Sequence, residues 1–328
     1  MDTGVQEIGQ MAKQRLESRD SNRYDVLERK IKILHNTAWR DKWAWDSDQY
    51  SKWLDNFKEK DEKLNAMFLL SKFMYFDNET IRELMVRIYE DLYKRPIVYE
   101  IRKQNKGTTD SNVIESKFKE ALSKTRFLSI GNPSESSAHL LYFFRQENYL
   151  KRDLFISPHE LFSHNKDGED IQASLKVAGI ERIVLLDDFC GSGNQATKFH
   201  EEFVTYLKDK APQVHIAYYA LFAIEDGLNK VKGLSFDQAE SVFVLDESYK
   251  CFSDVSRFFF EEDSQLKAPC KIMCEKYGEQ ISSTPLGYKD CQMLLGFHHN
   301  TPNNTLPIFW QEKNGWHPMF KRFVKIYR

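Results

Sequence analysis

The most regular pattern of apolar and polar positions in the chain lies near its middle. Four consecutive apolar residues, Ile183 to Leu186, predict a short buried strand. Two acids, Asp187 and Asp188, follow it, and a turn of small residues, Gly191 to Gly193, comes two residues later. A helix is predicted from about Asn194. This order is typical of an α/β sheet edge that binds a nucleotide or a sugar phosphate, because the N–H groups of the turn and of the helix start attract anions.

Apolar and amphipathic stretches alternate on both sides of this motif. The other predicted strands are Arg126 to Ile130, Asp153 to Ile156, His215 to Ala223 and Ser241 to Leu245. The predicted helices are Ser116 to Ser123, Ala138 to Arg145, Gln195 to Lys208 and Glu225 to Val231. Strands that alternate with helices at this spacing predict an α/β fold with a mainly parallel sheet.

The first 95 residues have a different pattern, in which apolar residues recur at helical spacing throughout. No Gly or Pro occurs from Val26 to Lys94, and Pro96 ends this run. We therefore expect an all-helical N-terminal domain over residues 1–95 and an α/β domain over residues 96–328. The tryptophans of the first part are interpreted as the core of the helical domain, with a partner surface as the alternative: Trp39, Trp43, Trp45 and Trp53. The mixed, aromatic segment from Glu247 to Tyr277 is also predicted to be helical.

Composition narrows the class of protein. The chain has 328 residues, of which 41% are hydrophobic and 29% charged, and a formal net charge of −2. These values are typical of a soluble globular protein and show no basic bias toward nucleic acid. The first residues lack the apolar core of a secretion signal, and no apolar run approaches the roughly 18 residues of a membrane helix. With five cysteines, an odd number, the pattern favours reduced thiols, and we expect a cytoplasmic protein without membrane contact.

One candidate ligand of the central motif is S-adenosylmethionine. The stretch from Leu185 to Gly193 resembles the motif with which amino-group DNA methyltransferases hold the methionine part of this cofactor, and Glu225 and Asp226 could hold its ribose. The chain nevertheless contains no Asn- or Asp-Pro-Pro-aromatic tetrapeptide for catalysis. Asp188 also stands where those enzymes have proline.

The second candidate ligand is phosphoribosyl pyrophosphate. The apolar run, acid pair and glycine turn resemble the signature of type I phosphoribosyltransferases. This resemblance implies that Asp187 and Asp188 bind the ribose hydroxyls and that the loop Gly191, Ser192, Gly193, Asn194 and Gln195 holds the 5′-phosphate. Paired carboxylates accept hydrogen bonds from vicinal hydroxyls, and their charge favours a cationic, oxocarbenium-like transition state. The sequence departs from the common pattern at Gly191 and Gln195, where hydroxyl residues are usual.

Two further segments favour phosphoribosyl pyrophosphate. The strand ending at Ile130 leads into a polar loop, Gly131 to Ser137, whose donors are expected to hold the pyrophosphate: Asn132, Ser134, Ser136 and Ser137. The polar stretch Ser163 to Asp170 is predicted to be a mobile loop that covers the site. Methyltransferase chemistry has no use for either segment.

Three other groups of polar residues have competing interpretations. Cys190 is a candidate nucleophile, but a packing thiol is the preferred interpretation. Glu225 and Asp226 are interpreted as a helix cap in preference to a ligand. His298 and His299, beside several asparagines, are assigned to a turn, with a place in the site or at a metal as the alternative.

The ordered set of motifs is more specific than any one of them. The Trp-rich helical N-terminus, SIGNPSESSAHLLYFFR, LLDDFCGSGNQ and LGFHHNTPNNTLPIFW together resemble the phosphoribosyltransferase-like effectors of bacterial conflict systems, over residues 20–328. The resemblance implies an anti-phage effector, in some systems associated with a retron reverse transcriptase and its nucleic acid. It also implies Mg²⁺, which would reach Asp187 and Asp188 only through a Mg-bound substrate. Transfer or glycosidic cleavage at ribose C1 is the expected reaction; a non-catalytic nucleotide sensor or partner-docking module is the alternative.

Overall fold

A computed structural model describes residues 21–39, 47–131, 136–167, 170–175 and 179–323. The chain packs into two units. The central unit is Glu79–Asp246, and the discontinuous unit combines Met1–Asn78 with Glu247–Arg328. The domain boundary predicted after residue 95 coincides with neither border, because the C-terminal segment packs with the N-terminal helices.

The elements are named in chain order. The helices are α1 (21–37), α2 (Ser47–Asp55), α3 (Lys60–Leu70), α4 (Asn78–Arg87), α5 (Arg95–Gln104), α6 (Ser111–Ser123), α7 (Ser136–Glu147), α8 (Asn194–Phe199), α9 (Thr205–Lys210), α10 (Glu225–Lys232) and α11 (Lys267–Ile281). The strands are β1 (Met74–Phe76), β2 (Thr125–Ser129), β3 (Phe162–Asp167), β4 (Asp170–Leu175), β5 (Arg182–Cys190), β6 (His215–Ile224), β7 (Gln238–Leu245) and β8 (Leu295–Phe297).

The central unit is built on a four-stranded parallel sheet in the order β2-β5-β6-β7. Its middle strands are apolar on both faces, which is why they occur as continuous hydrophobic runs and not as alternating patterns. On one face, Leu185 of β5 and Tyr218 of β6 share a buried core with Leu207 of α9. The predicted strands ending at residues 130, 186, 223 and 245 are confirmed, with shifted ends.

Two predicted segments of the central unit were wrong. The stretch Asp153 to Ile156 forms no strand: it contains a 3₁₀ turn, Arg152–Leu154, and a single bridge between Phe155 and Phe127. The described residues of the predicted loop Ser163 to Asp170 belong to the strands of an antiparallel hairpin, β3 as far as Asp167 and β4 from Asp170. Polar side chains do not prevent such a hairpin, because its backbone groups satisfy one another across the strands.

Pro96 does not end the N-terminal helical run, contrary to the sequence interpretation. Helices α4 and α5 are joined by a π-helical turn, Ile88–Lys94, and Pro96 lies in the first turn of α5. The N–H of Arg95 donates to Glu90 O, five residues back. The wider turn accommodates a proline because the ordinary four-residue hydrogen bond is already replaced there.

The discontinuous unit is held by an aromatic core. Trp39 and Trp53 are buried in it with residues of the C-terminal segment, including Phe309 and Phe320. The interpretation of these two tryptophans as core residues is confirmed, while Trp43 and Trp45 lie outside the described residues.

Two predictions for the discontinuous unit need correction. Met74–Phe76 is a strand that pairs in parallel with β8, so the N-terminal residues are not helical throughout. Within the segment 247–277, the structure has 3₁₀ turns at Glu247–Tyr249 and Glu261–Leu266, and α-helix only from Lys267. In the part of the chain that the structure describes, no helix has both the length and the apolar composition that crossing a membrane needs.

Candidate functional site

The central motif has the predicted form at the carboxyl end of β5. Asp187 and Asp188 lie within the strand, since pairing with β6 continues as far as Cys190 and Ala223. The turn Gly191 to Gly193 follows, and α8 begins at Asn194 as predicted. The helix continues beyond α8 through the π-helical turn His200–Val204 into α9.

Asp187 is hydrogen-bonded to a buried tyrosine. Asp187 is 3% exposed, and the hydroxyl of Tyr218 donates to Asp187 Oδ2 over 2.8 Å. Burial, and next the adjacent Asp188 carboxylate, raise the pKa of Asp187 to about 8, while the Tyr218 hydrogen bond acts in the opposite direction. The two acids therefore differ: Asp187 is a buried acceptor, and half-buried Asp188 is the more accessible of the two.

The glycine turn is shaped by contact with α10. Gly193 adopts φ +70, which favours glycine, and caps the start of α8. A Cβ placed on Gly227 of α10 would lie 2.1 Å from Gly191 O and 3.1 Å from Gly193 N. The first turn of α10 and the glycine turn therefore touch backbone to backbone.

The start of α8 carries polar groups that can meet an anion. Asn194 and Gln195 are exposed, and the turn residue Ser192 is half-buried. The ammonium of Lys230 in α10 donates to Asn194 Oδ1 over 2.9 Å. The N–H groups of the first helical turn and the positive end of the helix dipole favour a bound phosphate here.

The upstream loop begins beside the acid pair. Strand β2 pairs with β5, and Ile130 N donates to Leu186 O over 3.1 Å, so the chain leaves β2 at Gly131 next to Asp187. Asn132 and Ser134 lie outside the described residues. Ser136 and Ser137 are the first residues of α7, and the structure describes their backbone alone.

The other candidates that the sequence offered have structural roles. Cys190 is 2% exposed, and burial raises its pKa to about 12, so it is a packing thiol. The predicted helix cap was wrong: Ile224 is the N-cap of α10, and no side chain caps the helix there. Glu225 and Asp226 are exposed in the first turn, where acids complement the helix dipole. In the discontinuous unit, Asn300 Oδ1 accepts from the N–H groups of Thr301 and Phe323. These hydrogen bonds hold the turn predicted at His298 and His299.

The acid pair fits a metal only as part of a larger oxygen set. Carboxylate oxygens suit Mg²⁺, which also takes substrate phosphates and water as ligands. In the described residues no three His, Cys, Asp or Glu side chains converge on one point. Asp187 and Asp188 could accordingly contribute to an ion whose other ligands come from a bound phosphate compound.

Three residues of the site escape sequence reasoning. Tyr218 lies in an apolar strand and resembles any core aromatic, and Gly227 and Lys230 lie in an ordinary amphipathic helix. Their roles come from contacts with residues 31 to 36 positions away, which no local pattern reports.

A parallel sheet whose inner strand ends in an acid pair, a glycine turn and a helix start defines an α/β protein with a phosphate-binding edge. A family model matches residues 50–322, and the chain belongs to that family, PRTase-CE, whose name abbreviates phosphoribosyltransferase. The predicted fold class, an α/β protein of phosphoribosyltransferase type with a mainly parallel sheet, is therefore confirmed.

Solved structures with similarity to the chain include two phosphoribosyltransferases. The Helicobacter pylori xanthine-guanine-hypoxanthine phosphoribosyltransferase is 13% identical, with 53% of this chain and 86% of that chain covered and a TM-score of 0.26. The orotate phosphoribosyltransferase from Aeropyrum pernix is 11% identical, with 40% and 73% covered and a TM-score of 0.24. A hypothetical protein from Neisseria gonorrhoeae with bound ppGpp is 10% identical, with 60% and 97% covered and a TM-score of 0.22. No curated protein sequence matches the chain significantly.

Proposed function

We propose that the chain is a phosphoribosyltransferase-like effector that binds phosphoribosyl pyrophosphate or a nucleotide and acts at ribose C1. One observation carries the proposal: Asp188 and the Gly191 to Gly193 turn lie at one edge of a parallel sheet, beside the start of the upstream loop at Gly131. A ribose bound there would have its hydroxyls near the acids and its 5′-phosphate at the start of α8.

In this proposal the glycine turn binds the phosphate and the acid pair acts at the ribose. The α8 start and the glycine turn hold the 5′-phosphate, which fixes the sugar. Asp188, the more accessible acid, accepts hydrogen bonds from ribose hydroxyls and stabilises positive charge that develops at C1 as the bond to the leaving group breaks. An acceptor then bonds to C1, with water giving cleavage and a base giving transfer. Mg²⁺ would enter with the substrate phosphates and neutralise the leaving pyrophosphate.

A thermal-shift comparison tests the ligand. Phosphoribosyl pyrophosphate with Mg²⁺ is expected to raise the melting temperature, because a ligand stabilises the state that binds it. S-adenosylmethionine serves as the competing ligand. Stabilisation by S-adenosylmethionine alone would overturn the proposal in favour of a methyltransferase.

Asp188→Asn tests the chemistry. The variant is expected to keep its melting temperature within a few degrees and to lose turnover at ribose C1 by about 10²-fold or more, because a charge that stabilises the transition state is removed. Asp226→Asn, on the exposed first turn of α10, is the matched control. Normal turnover by Asp188→Asn would refute the catalytic assignment.

The burial of Asp187 favours a second candidate, a nucleotide sensor without turnover. An acid that is buried and hydrogen-bonded contributes less negative charge to a developing cation than an exposed carboxylate does. Tight binding of phosphoribosyl pyrophosphate or a nucleotide, with no pyrophosphate release over hours in the presence of varied bases, would select the sensor.

A role in anti-phage defence in the cytoplasm, with a reverse transcriptase and its nucleic acid as partner, is proposed from the resemblance of the ordered motifs. Plaque counts on cells that carry the complete system are the test. Asp188→Asn is expected to abolish protection if the pocket acts in defence, and Asp226→Asn to retain it. Equal protection by both variants would exclude the pocket from that role.

A further inference from the structure

The glycine turn has a cation beside it that the sequence did not reveal. Lys230 Nζ lies 2.9 Å from Asn194 Oδ1, at the first residue of α8. Burial raises the pKa of the Cys190 thiol, and the Lys230 charge acts in the opposite direction. The turn itself provides neutral donors, the hydroxyl of Ser192 and the amides of Asn194 and Gln195.

The position of Lys230 follows from the packing of α10. Gly227 lies against Gly191 O and Gly193 N at a distance that excludes any side chain. Lys230 lies three residues after Gly227 and so projects from the same face of the helix. The backbone contact therefore holds the helix so that the turn lies within reach of the Lys230 side chain.

Lys230 also differs from its neighbours in charge pairing. Lys232 in the same helix lies 3.3 Å from Glu240, and Lys198 in α8 lies 3.6 Å from Glu202. Among the described carboxylates, none forms an ion pair with Lys230, whose partner is the neutral Asn194 amide. An ammonium that is not neutralised gains more from a phosphate oxygen than from an amide oxygen, because a charge-assisted hydrogen bond is stronger.

We propose that Lys230 is a phosphate ligand of this site and exchanges its bond to Asn194 for one to the 5′-phosphate of a ribose 5-phosphate moiety. The assignment rests on the proposed function and adds the residue that supplies the positive charge. It makes the phosphate subsite a joint product of two helices, with N–H groups from α8 and the cation from α10.

Calorimetric titration of the full chain with ribose 5-phosphate tests this assignment. Lys230→Met is expected to weaken binding by about tenfold or more, the usual size of a hydrogen bond between charged groups. Lys230→Arg should recover most of the affinity. Lys232→Met removes the same charge two residues later in the helix and should bind like the wild type, and melting temperatures confirm that each variant is folded.

Each result has a distinct meaning. If the wild type binds ribose 5-phosphate and Lys230→Met binds it with the same affinity, the role of Lys230 is overturned and the proposed function stands. Equal weakening by Lys230→Met and Lys232→Met would show a general charge effect and also overturn the assignment. A wild-type chain that binds neither ribose 5-phosphate nor phosphoribosyl pyrophosphate would refute the proposed function, and the role of Lys230 with it.

Discussion

At the scale of single residues, neighbours in space decide what each polar group does. Asp187 and Asp188 are equivalent in the sequence, yet one accepts from Tyr218 in the core and the other is half-buried at the sheet edge. The sequence predicts an acid pair at this edge but cannot divide its roles, because the dividing contact comes from β6, 31 residues later.

His215 shows the same dependence at the opposite end of the sheet. Arg182 Nη1 lies 2.8 Å from His215 Nδ1, and because arginine can only donate, this nitrogen must accept and the ring must be neutral. Burial, and next the Arg182 charge, lower the pKa of His215 to about 4. In the unfolded chain its pKa is about 6.5.

We therefore expect His215→Gln to change the pH dependence of the unfolding free energy. Between about pH 6.5 and pH 4 the unfolded chain binds a proton at His215 that the folded chain does not, so the wild type loses stability as the pH falls. Glutamine keeps an acceptor and does not titrate. Urea unfolding from pH 8 to pH 4 should show a constant difference between the two proteins above pH 7 and a shrinking advantage of the wild type below it. A difference that stays constant down to pH 4 would contradict the argument.

At the scale of elements, the site depends on how closely two segments approach. The sequence predicts both the glycine turn and α10, and the contact between them explains why Gly193 and Gly227 are glycines. The helix pattern does not explain why position 227 is a glycine, because glycine is unfavourable inside a helix. The reason lies in Gly191 O, 36 positions earlier, which occupies the space of a side chain.

Gly227→Ala is expected to push α10 away from the turn. The added Cβ would meet Gly191 O at 2.1 Å, and the displacement should cost about 1–3 kcal/mol of unfolding free energy, as overpacking commonly does. Affinity for ribose 5-phosphate should fall in parallel. Gly233→Ala, where the nearest atom would be 3.4 Å from the Cβ, is the matched control and should stay within about 0.5 kcal/mol of the wild type in urea. Equal stability of the two variants would refute the close contact.

At the scale of the whole molecule, segments from the two ends of the sequence pack together. Trp53 of α2 stacks on Phe309, with ring centroids 5.5 Å apart, and its Nε1 donates to Ile308 O over 2.8 Å. These partners lie more than 250 residues away in sequence. A boundary after residue 95 would separate the tryptophan from the rings that bury it, which is why the helical N-terminus is not a domain by itself.

Trp53→Ala is accordingly expected to destabilise the discontinuous unit strongly. Loss of this fully buried tryptophan side chain should lower the unfolding free energy by about 3–5 kcal/mol. The change is measured by urea unfolding and followed by the fluorescence of the remaining tryptophans. Val26→Ala, at a position 58% exposed, is the control and should change stability by about 0.5 kcal/mol or less. A cost for Trp53→Ala no larger than that of the control would show that the C-terminal segment does not complete this core.

The sequence by itself determined the sheet strands, the start of α8, the acid pair and the glycine turn, because these features depend on local hydrophobic runs and on glycine's conformational freedom. It did not determine the β3–β4 hairpin, the continuation through Pro96 or the β1–β8 pair, whose hydrogen bonds depend on pairing or on a widened helical turn. Only the tertiary structure decided that Asp187 is buried under Tyr218, that α10 closes on the turn and that Lys230 lies beside it. The physical reason is common to all three: burial, close approach and charge at the site come from residues distant in sequence.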